Sequence, residues 1–398
     1  MKSLPAPPLD RSLALLACLV YFVQGALALA GIALPLFLRG KGWGISEIAT
    51  FAFLVGLPWS LKLLYGAVSD GIPLRGLRRK PYVILASFLS AVSWAGFAWL
   101  PQGKGFLFLF ATTANIGFAL TDVVTDALIV ENSTDSNAQV YQSLAWGFRS
   151  FGAVLGGVSG GWLAGHLPYR WIFGLTAVLP MMTLVGGLLI HEIPQERGGQ
   201  RPQFLRPLVE SLGALGGGDL KWFSLLLIVS SLSASFSTPF FFFLKEGLKF
   251  NETFLGSLAS LTWLGAILGC FAYGRLLRNI SVKRMLRWAI WLNFVNVLAT
   301  TLVKNWWGAV ALSFLGGILG YLSLLPFLAA AAMLSRRPGI EGSLFALLMS
   351  VNNLAQLVWT FIGGKFFDII GLAPLIFLSA GIGLSGLFFV ARLKTVGD

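Results

Sequence analysis

The apolar positions of this chain form long unbroken runs, with polar residues gathered between them. Runs fall near residues 12–38, 45–68, 82–100, 106–130, 138–165, 168–191, 221–245, 252–274, 285–303, 306–334, 341–366 and 369–392. Each is close to or above the roughly 20 residues an α-helix needs to cross a bilayer core. A helix is one of the few structures that satisfies its own backbone in lipid. The pattern therefore predicts an all-α membrane protein with twelve transmembrane helices. Most links are short. The exception is EIPQERGGQRPQFLRPLVESLGALGGGD, residues 192–219, which is rich in Pro, Gly and charge. It predicts an N-terminal six-helix bundle over 1–192, a cytoplasmic linker over 193–219 and a C-terminal six-helix bundle over 220–398.

Composition agrees with the runs and excludes several classes. Charged residues make up 11% and apolar residues 56%, whereas a soluble domain carries roughly 25% charge. The net charge of +13 would suggest nucleic acid on a soluble chain. Its distribution gives a different account. With the N-terminus inside, 19 lysines and arginines lie on the inner side and 8 on the outer, with Lys62 and Arg149 inside apolar runs. That skew predicts both termini in the cytoplasm and no nucleic-acid partner. Cys18 and Cys270 are far apart in apolar runs, and His166 and His191 are isolated. Neither a disulfide framework nor a metal site is expected. No phosphate-binding Walker loop and no nucleophile–base spacing stands out, so an enzyme is not expected, nor a cofactor. The N-terminal MKSLPAPPLDRS has no cleavage signature, so the first run is expected to be retained as a helix.

Charge inside the runs is the candidate chemistry. An ionised group near the bilayer centre costs at least ~2.5 kcal/mol and is a functional candidate by default. Lys62, Asp122, Asp126 and Arg149 are such groups, and they sum to zero. Asp122 and Asp126, in TDVVTDALIVEN, are four apart and share a helix face. At ~1.5 Å per residue, Asp126 and Lys62 sit roughly 6–9 Å deep, and Asp122 and Arg149 roughly 12–17 Å. The matched depths permit two pairs, Lys62–Asp126 and Asp122–Arg149. Glu131 ends the same run at the inner boundary. The loop GAVSDGIPLRGLRRK places Asp70 beside Arg78, Arg79 and Lys80, where an acid and a cation cluster can latch helix ends together. Gln24, Asn115, Gln142, Asn352, Asn353 and Gln356 are polar positions in the runs, suited either to helix packing or to ligand contact. Gly152, Gly156 and Gly160 form one small-residue stripe, and Gly157, Gly161 and Gly165 another, for static packing or for sliding.

Weak repetition supports two related halves with pseudo-two-fold symmetry. GGWLAGHLPYRWIFGL at the fifth run parallels GGKFFDIIGLAPLIFL at the eleventh, and parallel six-helix repeats are the arrangement of major facilitator transporters. YFVQG, WSLKLLYGAVSDGIPLRGLRRKPY, DVVTDALIVE and QSLAWGFRSFGAVLGG, in that order, resemble the folate–biopterin transporter family, a branch of that superfamily found in cyanobacteria, plastids and trypanosomatid parasites. The motifs cover roughly residues 20–180; the second half fits by helix layout. The resemblance implies alternating-access transport of a folate, a pterin or a related compound, driven by an ion gradient such as protons. It implies a monomer in a bacterial inner membrane of cyanobacterial type. Gln24, Lys62, Asp70, Asp122, Asp126 and Arg149 fall on its motif positions. A carboxylate such as Asp122 can grip an amino-pyrimidinone edge with paired hydrogen bonds, and Arg149 or Lys62 can meet the carboxylates of a folate tail. Two other readings stay open: the same fold carrying another solute, such as a muropeptide, sugar or drug, and a non-transporting assembly factor or sensor.

Overall fold

The structure is a computed structural model. It describes residues 10–101, 103–132, 138–192, 205–276, 280–337 and 340–394. Among the described residues, eleven helices are long and apolar enough to cross a membrane. They are α1 (Arg11–Gly40), α2 (Ile45–Gly71), α3 (Lys80–Trp99), α4 (Lys104–Asn132), α6 (Tyr169–Leu189), α7 (Gly218–Gly247), α8 (Glu252–Arg275), α9 (Val282–Leu302), α10 (Trp306–Leu334), α11 (Gly342–Ile370) and α12 (Leu372–Arg392). The remaining run is also a helix, α5 (Ala138–His166), 29 residues long. Arg149 and its many glycines lower its hydropathy below that of the others. A short helix, Leu205–Leu215, lies within the expected linker. Linker residues 193–204 lie outside the described residues. The protein is thus an integral membrane protein built from α-helices.

Prolines explain where the spans deform. A proline removes one helical donor and its ring presses on the carbonyl four residues back. Pro58 lies in a 3-10 turn, Leu57–Leu61, in the middle of α2. In α7 the helix gives way to a 3-10 segment over Ser231–Phe236, which contains the carbonyl that Pro239 would crowd.

Contacts divide the chain into two compact units. One is Met1–Ala33 with Leu64–Phe204; the other is Leu34–Leu63 with Leu205–Asp398. Spans α1 and α2 therefore each pass from one unit into the other.

In the first unit, α1 lies backbone to backbone on α5. A Cβ at Gly152 would stand 2.2 Å from the Phe22 carbonyl oxygen, and one at Gly160 2.7 Å from Leu29 Cα. The Gly152, Gly156 and Gly160 stripe is thus closed against α1. In the other stripe Gly157 and Gly161 are buried and Gly165 is exposed. Helix α3 is held to α4 and α6 by hydroxyls: Ser90 Oγ donates to the Ala114 carbonyl at 2.9 Å, and Ser87 bonds Thr183 at 2.7 Å.

In the second unit the same device recurs. A Cβ at Gly363 of α11 would stand 1.9 Å from the Ser235 carbonyl oxygen of α7, and one at Gly317 of α10 2.1 Å from the Thr262 carbonyl oxygen of α8. The first half of α2 packs on α11, where Phe53 and Phe361 rings are 5.2 Å apart. At one end of this unit Arg39 forms a two-pronged ion pair with Glu246, at 2.6 and 3.0 Å.

Candidate functional site

The carboxylates of α4 meet α1 in two rungs. Tyr21 and Gln24 are three apart on α1, and Asp122 and Asp126 are four apart on α4, so each pair presents to one helix face. The two helices run in opposite directions, so the earlier residue of one meets the later residue of the other. Gln24 Nε2 donates to Asp122 Oδ1. Tyr21 Oη donates to Asp126 Oδ1 at 2.7 Å. Asp122 is 3% exposed, and Asp126 is half-buried. A carboxylate withdrawn from water needs donors, and the Gln24 amide and the Tyr21 phenol are among those these two receive. The bond from Tyr21 was not legible in YFVQG beforehand; its only signal is the three-residue spacing to Gln24.

Helix α5 brings in the cation. Gly25 lets the Arg149 backbone approach α1, since a Cβ there would stand 1.9 Å from the Arg149 carbonyl oxygen. The Arg149 guanidinium lies over the Trp146 ring, 5.0 Å from its centroid. Trp146 in turn faces Tyr21, with ring centroids 6.2 Å apart. The Tyr21 hydroxyl is within electrostatic reach of Asp122, Asp126 and Arg149. Four of the anticipated residues, Gln24, Asp122, Asp126 and Arg149, are therefore gathered around Tyr21. Lys62 belongs to the other unit, where it begins the second half of α2 with its ammonium 5.3 Å from the Trp59 ring centroid.

The polar positions of the runs scatter more widely. Asn115 donates to the Ala111 carbonyl one turn back, at 2.9 Å. Gln142 is exposed near the start of α5. In the second unit Asn352 accepts from Ser231 at 3.2 Å, and Asn353 donates to the Trp59 carbonyl at 3.3 Å. Gln356 is exposed on α11.

A second cluster joins the ends of α2, α3 and α4. Arg79 is 4% exposed, and its guanidinium holds both Asp70 and Glu131 as well as the Ser69 hydroxyl. Burial works against the Arg79 charge, but the Glu131 and Asp70 carboxylates outweigh it and raise its pKa above the ordinary value. The loop reaches this geometry through a tight turn. Arg75 and Gly76 both have positive φ, and Leu74 and Leu77 exchange two backbone hydrogen bonds. Consecutive positive φ values are the mark of the turn that matches strand twist.

Arg78 and Lys80 are drawn to a residue the sequence did not single out. One carboxylate, Glu192, accepts from the backbone N–H groups of Arg78 at 2.7 Å, Arg79 at 3.0 Å and Lys80 at 2.7 Å. Lys80 Nζ donates to the Leu188 and Ile190 carbonyls at 2.8 and 2.7 Å. The start of α3 thus takes an anion and the end of α6 a cation, as their dipoles favour. Replacing Arg79 with glutamine is expected to lower stability by about 2 kcal/mol. It removes a buried guanidinium and leaves two half-exposed carboxylates without their shared cation. Arg79→Lys is expected to recover only part, because an ammonium cannot fork between partners. Thermal unfolding in detergent reads both, and an unchanged midpoint for Arg79→Gln would refute the hub.

The BT1 family profile matches residues 25–379. The folate-biopterin transporter of Synechocystis sp. (strain ATCC 27184 / PCC 6803 / Kazusa) is 31% identical, over 84% of this chain and 71% of its own. The probable folate-biopterin transporter 4 of Arabidopsis thaliana is 29% identical, over 92% of this chain and 89% of its own. Among solved structures, the nucleoside transporter NupG superposes with a TM-score of 0.76 at 14% identity, covering 96% of this chain and 99% of that one. The D-xylose-proton symporter gives 0.72 at 14% identity, covering 97% and 98%. At such identities the superpositions speak for the fold alone, and both neighbours are major facilitator transporters. The profile spans most of the chain, and the motif resemblance pointed to the same relatives; this protein belongs to the BT1 family.

Proposed function

We propose that this chain is a secondary transporter that carries a folate, a pterin or a related compound across a membrane by alternating access. In this reading residues 1–192 rock against residues 220–398, about the linker over 193–219. The protein works as a monomer in a bacterial inner membrane of cyanobacterial type, with both termini cytoplasmic, and protons drive it. The names of its relatives support the cargo.

The observation that carries the site is the state of Asp122. It is buried, and the Gln24 amide donates to it, so a ligand that reaches it meets a carboxylate already fixed in place. A pterin edge offers two parallel donors, which form a charge-assisted pair with a carboxylate. Asp126 is held on Tyr21 as the companion acid, and Arg149 and Lys62 are the cations for an anionic tail. Asn115, Gln142, Asn352, Asn353 and Gln356 are offered as secondary contacts. The Arg79 cluster with Asp70, Glu131, Arg78 and Lys80 is the cytoplasmic gate: its ion pairs tie helix ends on one face and are remade in each cycle.

Uptake of labelled folate and biopterin in cells lacking their own carriers tests this. Uptake above vector background is expected for at least one ligand, and collapse under an uncoupler. Background uptake of both defeats the cargo. Uptake indifferent to uncoupler and external pH defeats proton coupling. Saturable uptake of a sugar, muropeptide or drug in place of the pterins would redirect the reading to another solute.

A further inference from the structure

Trp146 is a large aromatic side chain that remains 38% exposed although its ring faces Tyr21, the partner of Asp126. Its ring is covered on one side by the Arg149 guanidinium, 5.0 Å away. Gln142, Trp146 and Arg149 are spaced four and three apart along α5, so they form one stripe. Tyr21 joins that stripe to the acids, with its ring 6.2 Å from the Trp146 ring and its hydroxyl on Asp126. The α1–α5 seam is made by Gly25, Gly152 and Gly156, whose absent side chains let the backbones touch.

A guanidinium and an amino-pyrimidinone edge are chemically alike. Each is planar, each carries N–H donors spread around an N–C–N unit, and each stacks on an indole face. A surface that seats one suits the other. We infer that Trp146 is the stacking platform for the flat heterocycle of the ligand, and that Arg149 occupies the platform until the ligand displaces it. The freed guanidinium then meets an anionic substituent of the same ligand. The ligand class is a planar heteroaromatic with an amidine-like donor edge, with or without a carboxylate tail. This inference rests on the proposed cargo and adds the residue that selects its ring.

The test uses the full chain in lipid nanodiscs, with biopterin as the probe. Biopterin fluoresces, and stacking on an indole quenches it. Quenching on binding is expected for the wild type. Trp146→Ala is expected to weaken binding about tenfold, the scale of one lost base–aromatic stack, and to abolish the quench. Trp146→Phe keeps a ring and is expected to retain most of the affinity. Arg149→Ala is expected to tighten biopterin binding, because the platform loses its resident cation, and to weaken folate binding, because the tail loses its partner. Wild-type affinity and quench in Trp146→Ala overturn the platform, and weaker biopterin binding in Arg149→Ala overturns the exchange. Cellular uptake separates the two readings. Biopterin uptake with no effect of Trp146→Ala defeats the platform alone. Binding through Trp146 without uptake defeats transport alone. Neither binding nor uptake defeats both.

Discussion

Replacing Gly25 with alanine is expected to prevent α1 from docking on α5, with a loss of about 3 kcal/mol or more. The added methyl would stand 1.9 Å from the Arg149 carbonyl oxygen and 2.6 Å from the Ala153 amide nitrogen. Both are backbone atoms of a regular helix, so neither can swing aside as a long side chain would. The helices must separate, and the facing contacts at Gly152 and Gly156 go with them. Gly31 of the same helix is the internal control, because a Cβ there meets nothing within 4 Å. Gly31→Ala is expected to be neutral or slightly stabilising, since alanine is the better helix former. Yield of monodisperse protein and the thermal unfolding midpoint distinguish the pair. If the two variants melt together near the wild type, the close approach of α1 and α5 is wrong.

Asp122→Asn is expected to leave the protein folded and to reduce uptake roughly ten- to a hundred-fold, the range of one hydrogen bond to a charged group. Asparagine has almost the same shape, and its carbonyl oxygen still accepts from Gln24 Nε2. The local rung therefore survives, and only the charge is lost. That separates this variant from a larger replacement at the same buried position, which would confound folding with function. Uptake at fixed surface expression, with an unfolding midpoint measured in parallel, is the check. Full uptake by a folded Asp122→Asn protein removes Asp122 from the site.

These expectations draw on different levels of the chain. The length and order of the spans were legible because run length is a local property. Twenty apolar residues have one stable outcome in lipid, whatever lies beside them. The family was legible too, because its motifs are contiguous in sequence. The site was legible in its charged members and in Gln24, an amide in an apolar run. Asp122, Asp126 and Arg149 stand out as charges in apolar runs, while Tyr21 and Trp146 are ordinary residues of a membrane helix and carry no such signal. Glu192 was concealed differently, as one acid at the start of a polar linker, although three backbone N–H groups of α3 converge on it.

Depth along each helix, counted from the sequence, can match residues by level. It cannot say which side of the helix they face, because that depends on rotation about the axis, and rotation is set by packing. Here the packing is set by glycines: Gly25, Gly152 and Gly156 fix how α1 faces α5. With α1 so held, Gln24 meets Asp122 and Tyr21 meets Asp126. The sequence by itself thus determined the α-helical membrane architecture and the charges buried in it, through hydrophobic length and charge count. Which neutral side chains those charges meet was decided by the tertiary structure alone, because that choice depends on close helix approach between residues about a hundred positions apart in the chain.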